Sequence, residues 1–78
     1  MPYYFFHWTS EAIEHVGEHD VSPAEFEAIV MQPESRGVSR STGRHIAFGY
    51  TPEGRFLACV FEQDKEDVFP ITAYDVQE

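Results

Sequence analysis

Residues 21–33 read VSPAEFEAIVMQP, and this stretch decides the fold because it fixes where helical sequence gives way to strand sequence. Ser22 is a preferred N-cap residue, Pro23 stands at the first helical position, and Glu25 comes three residues after the cap. This spacing is that of a capping box, in which each end of the first turn bonds the other's backbone. Pro33 stops the helix because the residue before a proline avoids the α region. A helix between the cap and this proline is therefore predicted.

The chain before this helix predicts a strand and a shorter helix. Residues 3–8 are aromatic and are bounded by Pro2 and Thr9, which indicates a first strand. Thr9 or Ser10 is then a helix N-cap, with Glu11 in the first turn, where it meets the positive end of the helix dipole. The apolar residues that helical spacing predicts to face a sheet are Ala12, Ile13, Val16, Phe26, Ile29 and Val30.

After Pro33 the pattern changes to that of strands. The predicted strands cover residues 35–40, 44–51, 55–62 and 68–74, with turns at 41–43 and 52–54 and a charged loop at 63–67. Gly54 takes the left-handed position of its turn, and Pro70 indicates an edge or a bulge. Pairing of Thr51 with Arg55 assigns the residues between them to faces. One face then carries Ile46, Phe48, Tyr50, Phe56, Ala58 and Val60, and the other carries Leu57, Cys59 and Phe61.

This element order predicts the fold class. Helices followed by a run of strands indicate an α+β domain, with an N-terminal strand and two helices packed on a three- to four-stranded antiparallel sheet. The sequence predicts a single domain, residues 1–78, because a chain of 78 residues is too short to hold two domains.

Charge is distributed unevenly along the chain, whose formal net charge is −9. Residues 1–35 contain seven acids and no lysine or arginine, whereas residues 36–55 contain four of the five basic residues. A chain this acidic is unsuited to non-specific binding of long nucleic acid. The arginine window is either a small local anion site or a set of solvated strand residues.

Composition also bears on the compartment. Cys59 is the one cysteine, so no internal disulfide forms, which fits a cytoplasmic protein. No apolar run approaches the length of a membrane span, and the aromatic start lacks the basic region of a signal peptide. We expect a cytoplasmic protein that does not bind membranes.

The candidate catalytic residues are Arg44, His45, Arg55 and Tyr74, with His7 as a further member of the same chemical set. Cleavage of RNA through its 2′-hydroxyl needs a base, an acid and a donor for the phosphate. His45 suits the base or acid, the two arginines suit the phosphate, and Tyr74 suits proton donation. The predicted hairpin turns Arg44 and His45 to opposite faces, which favours the alternative that they are ordinary surface residues.

Other chemistry-bearing residues favour structural roles. His15 and His19 are four apart on a helix, but no third ligand follows at a suitable spacing, so neither a metal nor a cofactor is expected. Cys59 lies in an apolar strand and is interpreted as a buried, unreactive thiol. The aromatic residues 3–8 form either a buried strand or a platform on which bases stack.

The chain resembles the BrnT family of RelE-like toxins from type II toxin–antitoxin pairs. The matching pieces, in order, are Trp8, Glu14-His15, His19 to Glu25, Gly43-Arg44-His45-Ile46 with Gly49, Gly54-Arg55-Phe56-Leu57 with Val60, and Ile71-Thr72-Ala73-Tyr74. The resemblance implies a RelE-like fold, a metal-independent endoribonuclease that cuts mRNA, and a cognate antitoxin as partner.

The chain departs from that family at the last strand. The family usually carries arginines where Phe69 and Tyr74 stand, and it usually ends in a basic helix where this chain has residues 75–78, which are acidic. Because such cations stabilise the charge that develops on the phosphate, these departures predict a weakened or inactive enzyme.

Two other functions remain open. A non-catalytic interaction module of the same fold binds a protein partner through its acidic helices or a sheet edge, and an acidic mimic of nucleic acid occupies a basic protein site. A ribonuclease gathers its arginines on one surface, a mimic gathers its acids, and an interaction module exposes an apolar patch. Homodimerisation is a further partner arrangement that the sequence leaves open.

Overall fold

The computed structural model describes residues 4–76, so Tyr3 of the predicted first strand and the last two residues of the acidic tail lie outside it. The chain forms an α+β domain with one mixed sheet in the strand order β1-β5-β4-β3-β2. The elements are β1 (Phe5–Phe6), α1 (Ser10–Gly17), α2 (Pro23–Met31), β2 (Ser35–Val38), β3 (His45–Tyr50), β4 (Phe56–Asp64) and β5 (Asp67–Asp75).

Both helices begin where the sequence predicts. The Thr9 side chain accepts a hydrogen bond from the Ala12 amide at 3.0 Å and caps α1. The Ser22 hydroxyl accepts from the Glu25 amide at 3.2 Å, and the Glu25 carboxylate accepts from the Ser22 amide at 3.0 Å. This reciprocal pair is the predicted capping box, and it satisfies two donors that the helix itself leaves unbonded.

Within residues 4–76 the sheet has five strands and is mixed, which corrects the predicted antiparallel sheet of three to four strands. β2, β3, β4 and β5 are antiparallel neighbours, but β1 pairs with β5 in parallel, Phe5 opposite Asp67 and Phe6 opposite Val68. Two consecutive aromatic residues contain no signal that selects a partner strand at the far end of the chain. The parallel pairing was therefore not predictable from local pattern.

The charged segment between β4 and β5 is strand, not loop as predicted. Gln63 pairs with Val68 and Asp64 with Asp67, so the connection is reduced to Lys65 and one further residue. Lys65 has φ +57°, the left-handed conformation of a tight hairpin turn. Charged side chains are compatible with strand here because they stand on solvated positions of the hairpin.

The core lies between the two helices and one face of the sheet. Five of the six predicted core residues of the helices are buried: Ala12, Val16, Phe26, Ile29 and Val30. From the sheet they meet Ala47, Leu57, Cys59, Phe61, Val68 and Ala73. The prediction for Ile13 was wrong, since its side chain is 46% exposed. α1 packs chiefly on β5, so its buried stripe is the narrow one through Ala12 and Val16.

Gly49 allows α2 to lie close to the sheet. A Cβ atom at this position would stand 3.0 Å from Cγ2 of Ile29 and 3.3 Å from its Cγ1. Those separations are below ordinary carbon–carbon contact, so the Ile29 side chain would have to move to make room for even a methyl group at this position.

The β3–β4 register is the predicted one. The Thr51 amide donates to the Arg55 carbonyl at 2.9 Å, and Gly54 has φ +88° in the turn between them. Tyr50 therefore faces Phe56 across the two strands.

Pro70 lies at a bulge, one of the two alternatives predicted for it. Val60 pairs with Thr72 but Phe61 pairs with Pro70, so Ile71 is an extra residue. The bond from the His7 amide to the Val68 carbonyl connects β1 to β5 two residues before Pro70, which has no N–H with which to extend that ladder.

Candidate functional site

The structure does not bring the four candidate catalytic residues together. His45 pairs with Phe61 at one end of the β3–β4 hairpin, and Arg55 stands beside the turn at the other end. At about 3.3–3.4 Å per residue, β3 separates these two ends by roughly 20 Å. Arg44 and Arg55 therefore cannot hold the same phosphate group.

Arg55 is engaged in tertiary structure. Its guanidinium donates to the carbonyl of Asp20 at 2.8 Å, to the carbonyl of His19 at 2.7 Å, and to Oδ1 of Asp75 at 2.7 Å. The hydrogen bond that Arg55 donates to the Asp75 carboxylate raises the pKa of Arg55 above its ordinary value. All these acceptors lie in the α1–α2 connection or at the end of β5, so the side chain ties loop to sheet.

Arg44 and His45 point to opposite faces, as the register predicts. Nε of Arg44 donates to Oε1 of Glu62 at 3.0 Å, whereas the His45 ring stacks on Phe61 with centroids 5.6 Å apart. Tyr74 lies opposite Ala58, and its side chain is 39% exposed. Neither Arg55 nor Tyr74 shares a cleft with Arg44.

A cleft of about 420 Å³ does gather a different set of polar side chains. His7, His15 and Arg44 line it together with Glu11 and Phe69. Two imidazoles and a guanidinium are the group types that an acid, a base and a phosphate ligand require. His7 and Arg44 were in the predicted chemical set, but His15 was not. No local signal joins them, because their proximity depends on the β1–β5 pairing and on the path of α1.

Each basic group in this cleft faces a carboxylate. Nε2 of His7 lies 2.8 Å from Oδ1 of Asp67, and its ring stacks on Phe69 with centroids 4.9 Å apart. Nε2 of His15 lies 4.0 Å from Oε1 of Glu11. Arg44 bonds Glu62 as described above. A phosphate entering the cleft would therefore have to compete with three carboxylates that are already in place.

Within residues 4–76, no helix packs on the side of the sheet opposite α1 and α2, and we call this side the open face. Alternation and register place on it Phe5, Ile46, Phe48, Tyr50, Phe56, Ala58, Val60, Glu62, Asp64, Asp67, Phe69, Thr72 and Tyr74. Arg44 and His7 reach the same face, because they contact Glu62 and Asp67. Phe5, Tyr50, Phe69 and Tyr74 are 57%, 50%, 40% and 39% exposed. This face was assigned correctly from the sequence for β3 and β4, but Phe5 and Phe69 were not recognised as part of it.

Three aromatic residues of the open face, on the adjacent strands β3 and β4, contact one another. Phe48 and Phe56 stack with centroids 6.2 Å apart, and Tyr50 lies 4.7 Å from Phe56 at a tilt of 45°. Ala58 between them is fully buried by its neighbours. Ring contacts across adjacent strands hold these side chains in fixed positions, so the surface is ordered before any partner arrives.

The remaining chemical groups do not form a second site. Cys59 is buried, and burial raises the pKa of its thiol to about 12, so it carries negligible thiolate at neutral pH. Within residues 4–76, no three side chains of the His, Cys, Asp or Glu type are grouped to hold a metal ion. In that same part of the chain, no helix has the length and apolar character needed to cross a membrane.

Comparison with family models, with curated proteins and with solved structures finds no match to this chain. The BrnT resemblance is therefore still a prediction from the motifs.

Proposed function

We propose that this protein is an interaction module that binds a protein partner through the open face. The observation that supports it is the exposure of Phe5, Tyr50, Phe69 and Tyr74 on the open face. The other large exposed apolar residues, Ile13, Met31 and Val38, lie on three different elements. Scattered apolar residues are ordinary on a surface, but four exposed aromatic residues on one face of a sheet favour a site of association.

The energetic argument concerns where a small domain places its aromatic residues. Burial of apolar surface stabilises a fold by roughly 25 cal/mol per Å². A domain of this size buries little apolar surface, so each exposed aromatic ring is a substantial loss of stability. Leaving several rings in water on one face forgoes part of that stabilisation. A partner that covers the open face restores it, and aromatic side chains are the residues that most often dominate interface energetics.

Capture of partners with matched variants tests the proposal. We would compare the wild type with Tyr50→Ser/Tyr74→Ser and with the control Ile13→Ser/Met31→Ser, whose residues are similarly exposed but lie on the helices. We expect a partner that the wild type and the control enrich and the open-face variant loses, measured by quantitative mass spectrometry. If no protein depends on the open face for its enrichment, the proposal fails.

A second candidate function is a BrnT-like endoribonuclease, and the cleft that holds His7, His15 and Arg44 is the observation that favours it. In this reading the two imidazoles exchange protons with the 2′-hydroxyl and the leaving oxygen, and Arg44 binds the phosphate. Phe69, at a position where the family usually has arginine, lines the same cleft. We therefore expect weak cleavage, since each lost donor of this kind costs about 100- to 1000-fold in rate.

Growth and RNA-cleavage assays separate the two candidates. We expect expression of the wild type alone to slow growth little, with cleavage near background. The cleft variant is His7→Asn/Arg44→Gln, and the control is Arg40→Gln, an exposed arginine outside the cleft. Strong toxicity that the cleft variant loses and the control keeps would establish the ribonuclease instead.

A further inference from the structure

We infer that the outer edge of β2 binds an extended, acidic segment of a partner protein, which adds a strand to the sheet beside β2. The carboxylates of this segment lie next to Arg36 and Arg40. The edge is a different surface from the open face, so the inference goes beyond the proposed function and does not depend on it.

β2 is an edge strand whose outward backbone groups have no partner. It stands last in the strand order, with β3 on its inner side. The Ser39 amide donates to the Arg44 carbonyl at 2.8 Å, so in this register Gly37 also turns its backbone groups toward β3. Arg36 and Val38 alternate with these residues, and their N–H and C=O groups therefore point outward. Within residues 4–76, no hydrogen bond engages those four groups.

The outer edge of β2 is exposed, in contrast to the other edge of the sheet. Arg36 is exposed, and Val38 is 60% exposed. Among residues 4–76, α1 packs chiefly on β5 and α2 on β3 and β4, so both helices lie mainly away from β2. At the other edge, β1 pairs with the start of β5, and Ala73 further along β5 is fully buried. The β2 edge is therefore the one that an extended segment can reach.

The outward backbone groups determine the conformation of the occupant. N–H and C=O groups recur on this edge at every second residue, which is the spacing of a β-strand. An extended backbone presents acceptors and donors at the same spacing, whereas the backbone groups of a helix are already bonded within the helix. Main-chain pairing of this kind gives affinity to peptides that add to a sheet edge.

Two arginines without ion pairs determine the charge of the occupant. The chain carries a formal net charge of −9, yet Arg36 and Arg40 are exposed and form no ion pair within residues 4–76. Arg44 and Arg55, by contrast, each bond a carboxylate. Strand alternation places Arg36 and Val38 on the same side of β2. A matching segment therefore has an acidic residue and an apolar residue two positions apart.

A second copy of the chain is disfavoured as the occupant. Antiparallel pairing of two β2 strands would bring the arginines of one copy close to those of the other, and like charges on adjacent strands are destabilising. Each copy also carries a net charge of −9. Charged residues on an edge strand oppose pairing with identical strands in this way. The same arginines attract an acidic strand.

Binding of synthetic peptides to the full chain tests the inference. The probe is a peptide of about eight residues with glutamate, valine and glutamate at alternate positions and threonine between them. A matched peptide has lysine in place of glutamate. We expect the glutamate peptide to bind at least about tenfold more tightly than the lysine peptide, which corresponds to about 1.4 kcal/mol.

Backbone methylation of the glutamate peptide tests strand pairing on the unaltered protein. One version has N-methyl groups on its odd-numbered amides and the other on its even-numbered amides. Because alternate amides of a strand point to opposite edges, we expect one version to lose at least about tenfold in affinity and the other to lose little. Equal affinity of the two versions would overturn the inference.

Variants of the protein assign the binding to the edge of β2. Arg36→Gln should weaken the glutamate peptide by about three- to fivefold, the effect of one exposed ion pair. Lys65→Gln removes an exposed cation at the β4–β5 turn and should leave the affinity unchanged. Val38→Pro removes an outward N–H that β3 does not use, and it should weaken binding. Circular dichroism of each variant confirms that it folds.

Other outcomes would overturn the inference. They include no binding of the glutamate peptide, or equal binding of the glutamate and lysine peptides. Single-stranded RNA of about eight nucleotides that binds more tightly than the peptide and depends on Arg36 would assign the edge to nucleic acid. A dimer in sedimentation that Val38→Pro abolishes would assign it to a second copy. If Tyr74→Ser weakens the peptide as much as Arg36→Gln does, the peptide binds the open face, and the inference fails while the proposed function stands.

Discussion

At the scale of single residues, Arg55 connects segments that are distant in sequence. Its guanidinium bonds two carbonyls of the α1–α2 connection and the carboxylate of Asp75. We expect Arg55→Ala to lower the melting temperature, because both carbonyls and the carboxylate lose their donor. Arg55→Lys should restore only part of it, since an ammonium lacks the planar fork. Arg40→Ala, at an exposed turn position, is the control, and an equal shift for both alanine variants would contradict this role.

The same scale gives a pH prediction for Cys59. Burial raises the pKa of its thiol from 9.0 to about 12, so between these values the unfolded chain releases a proton that the folded chain keeps. The contribution of Cys59 to stability is therefore complete below pH 9 and declines as pH rises toward 12. We expect chemical denaturation to show a smaller alkaline loss of stability for Cys59→Ala than for the wild type. Parallel pH profiles for the two proteins would contradict it.

The native thiol should also be slow to react. Because its thiolate is scarce and its sulfur is buried, we expect a disulfide reagent at neutral pH to label Cys59 only after denaturant unfolds the chain. Rapid labelling of the folded protein would show that the strand opens locally.

At the scale of elements, the start of α2 depends on its cap. Ser22→Ala removes one half of the capping box and should lower the free energy of unfolding by about 1 kcal/mol. Ser10→Ala, at an exposed position in the first turn of α1, is the matched control and should change stability little. Urea denaturation measures both. An unchanged midpoint for Ser22→Ala would mean that the cap does not set the start of the helix.

At this scale, the features that could be predicted from the sequence are those that a few neighbouring residues determine. The caps at Thr9 and Ser22 and the turn at Gly54 were predictable, because each is determined by a few consecutive residues. The pairing of β1 with β5 was not, because no residue of Phe5–Phe6 specifies its neighbour. The cleft around His7, His15 and Arg44 follows from that pairing and was missed for the same reason.

At the scale of the whole molecule, one core joins all the layers. The Trp8 indole donates to Oε2 of Glu27 at 2.7 Å and packs edge-on against Phe26, which links the end of β1 to α2. Since there is no second core to melt separately among residues 4–76, we expect two-state unfolding. Trp8 fluorescence and far-ultraviolet circular dichroism should give coincident transitions. Two separated midpoints would show that β1 detaches before the rest of the sheet unfolds.

The pairing of β1 with β5 also sets when the domain can fold during synthesis. Phe6 lies opposite Val68, a contact that spans most of the chain. While a ribosome is still making the segment before β5, the first strand has no neighbour, and β4 lacks its longest partner. β1 therefore has no strand to pair with until residues 67–75 emerge from the exit tunnel. Contacts this distant in sequence slow folding, so the nascent chain is exposed to chaperones and proteases until its last strand appears.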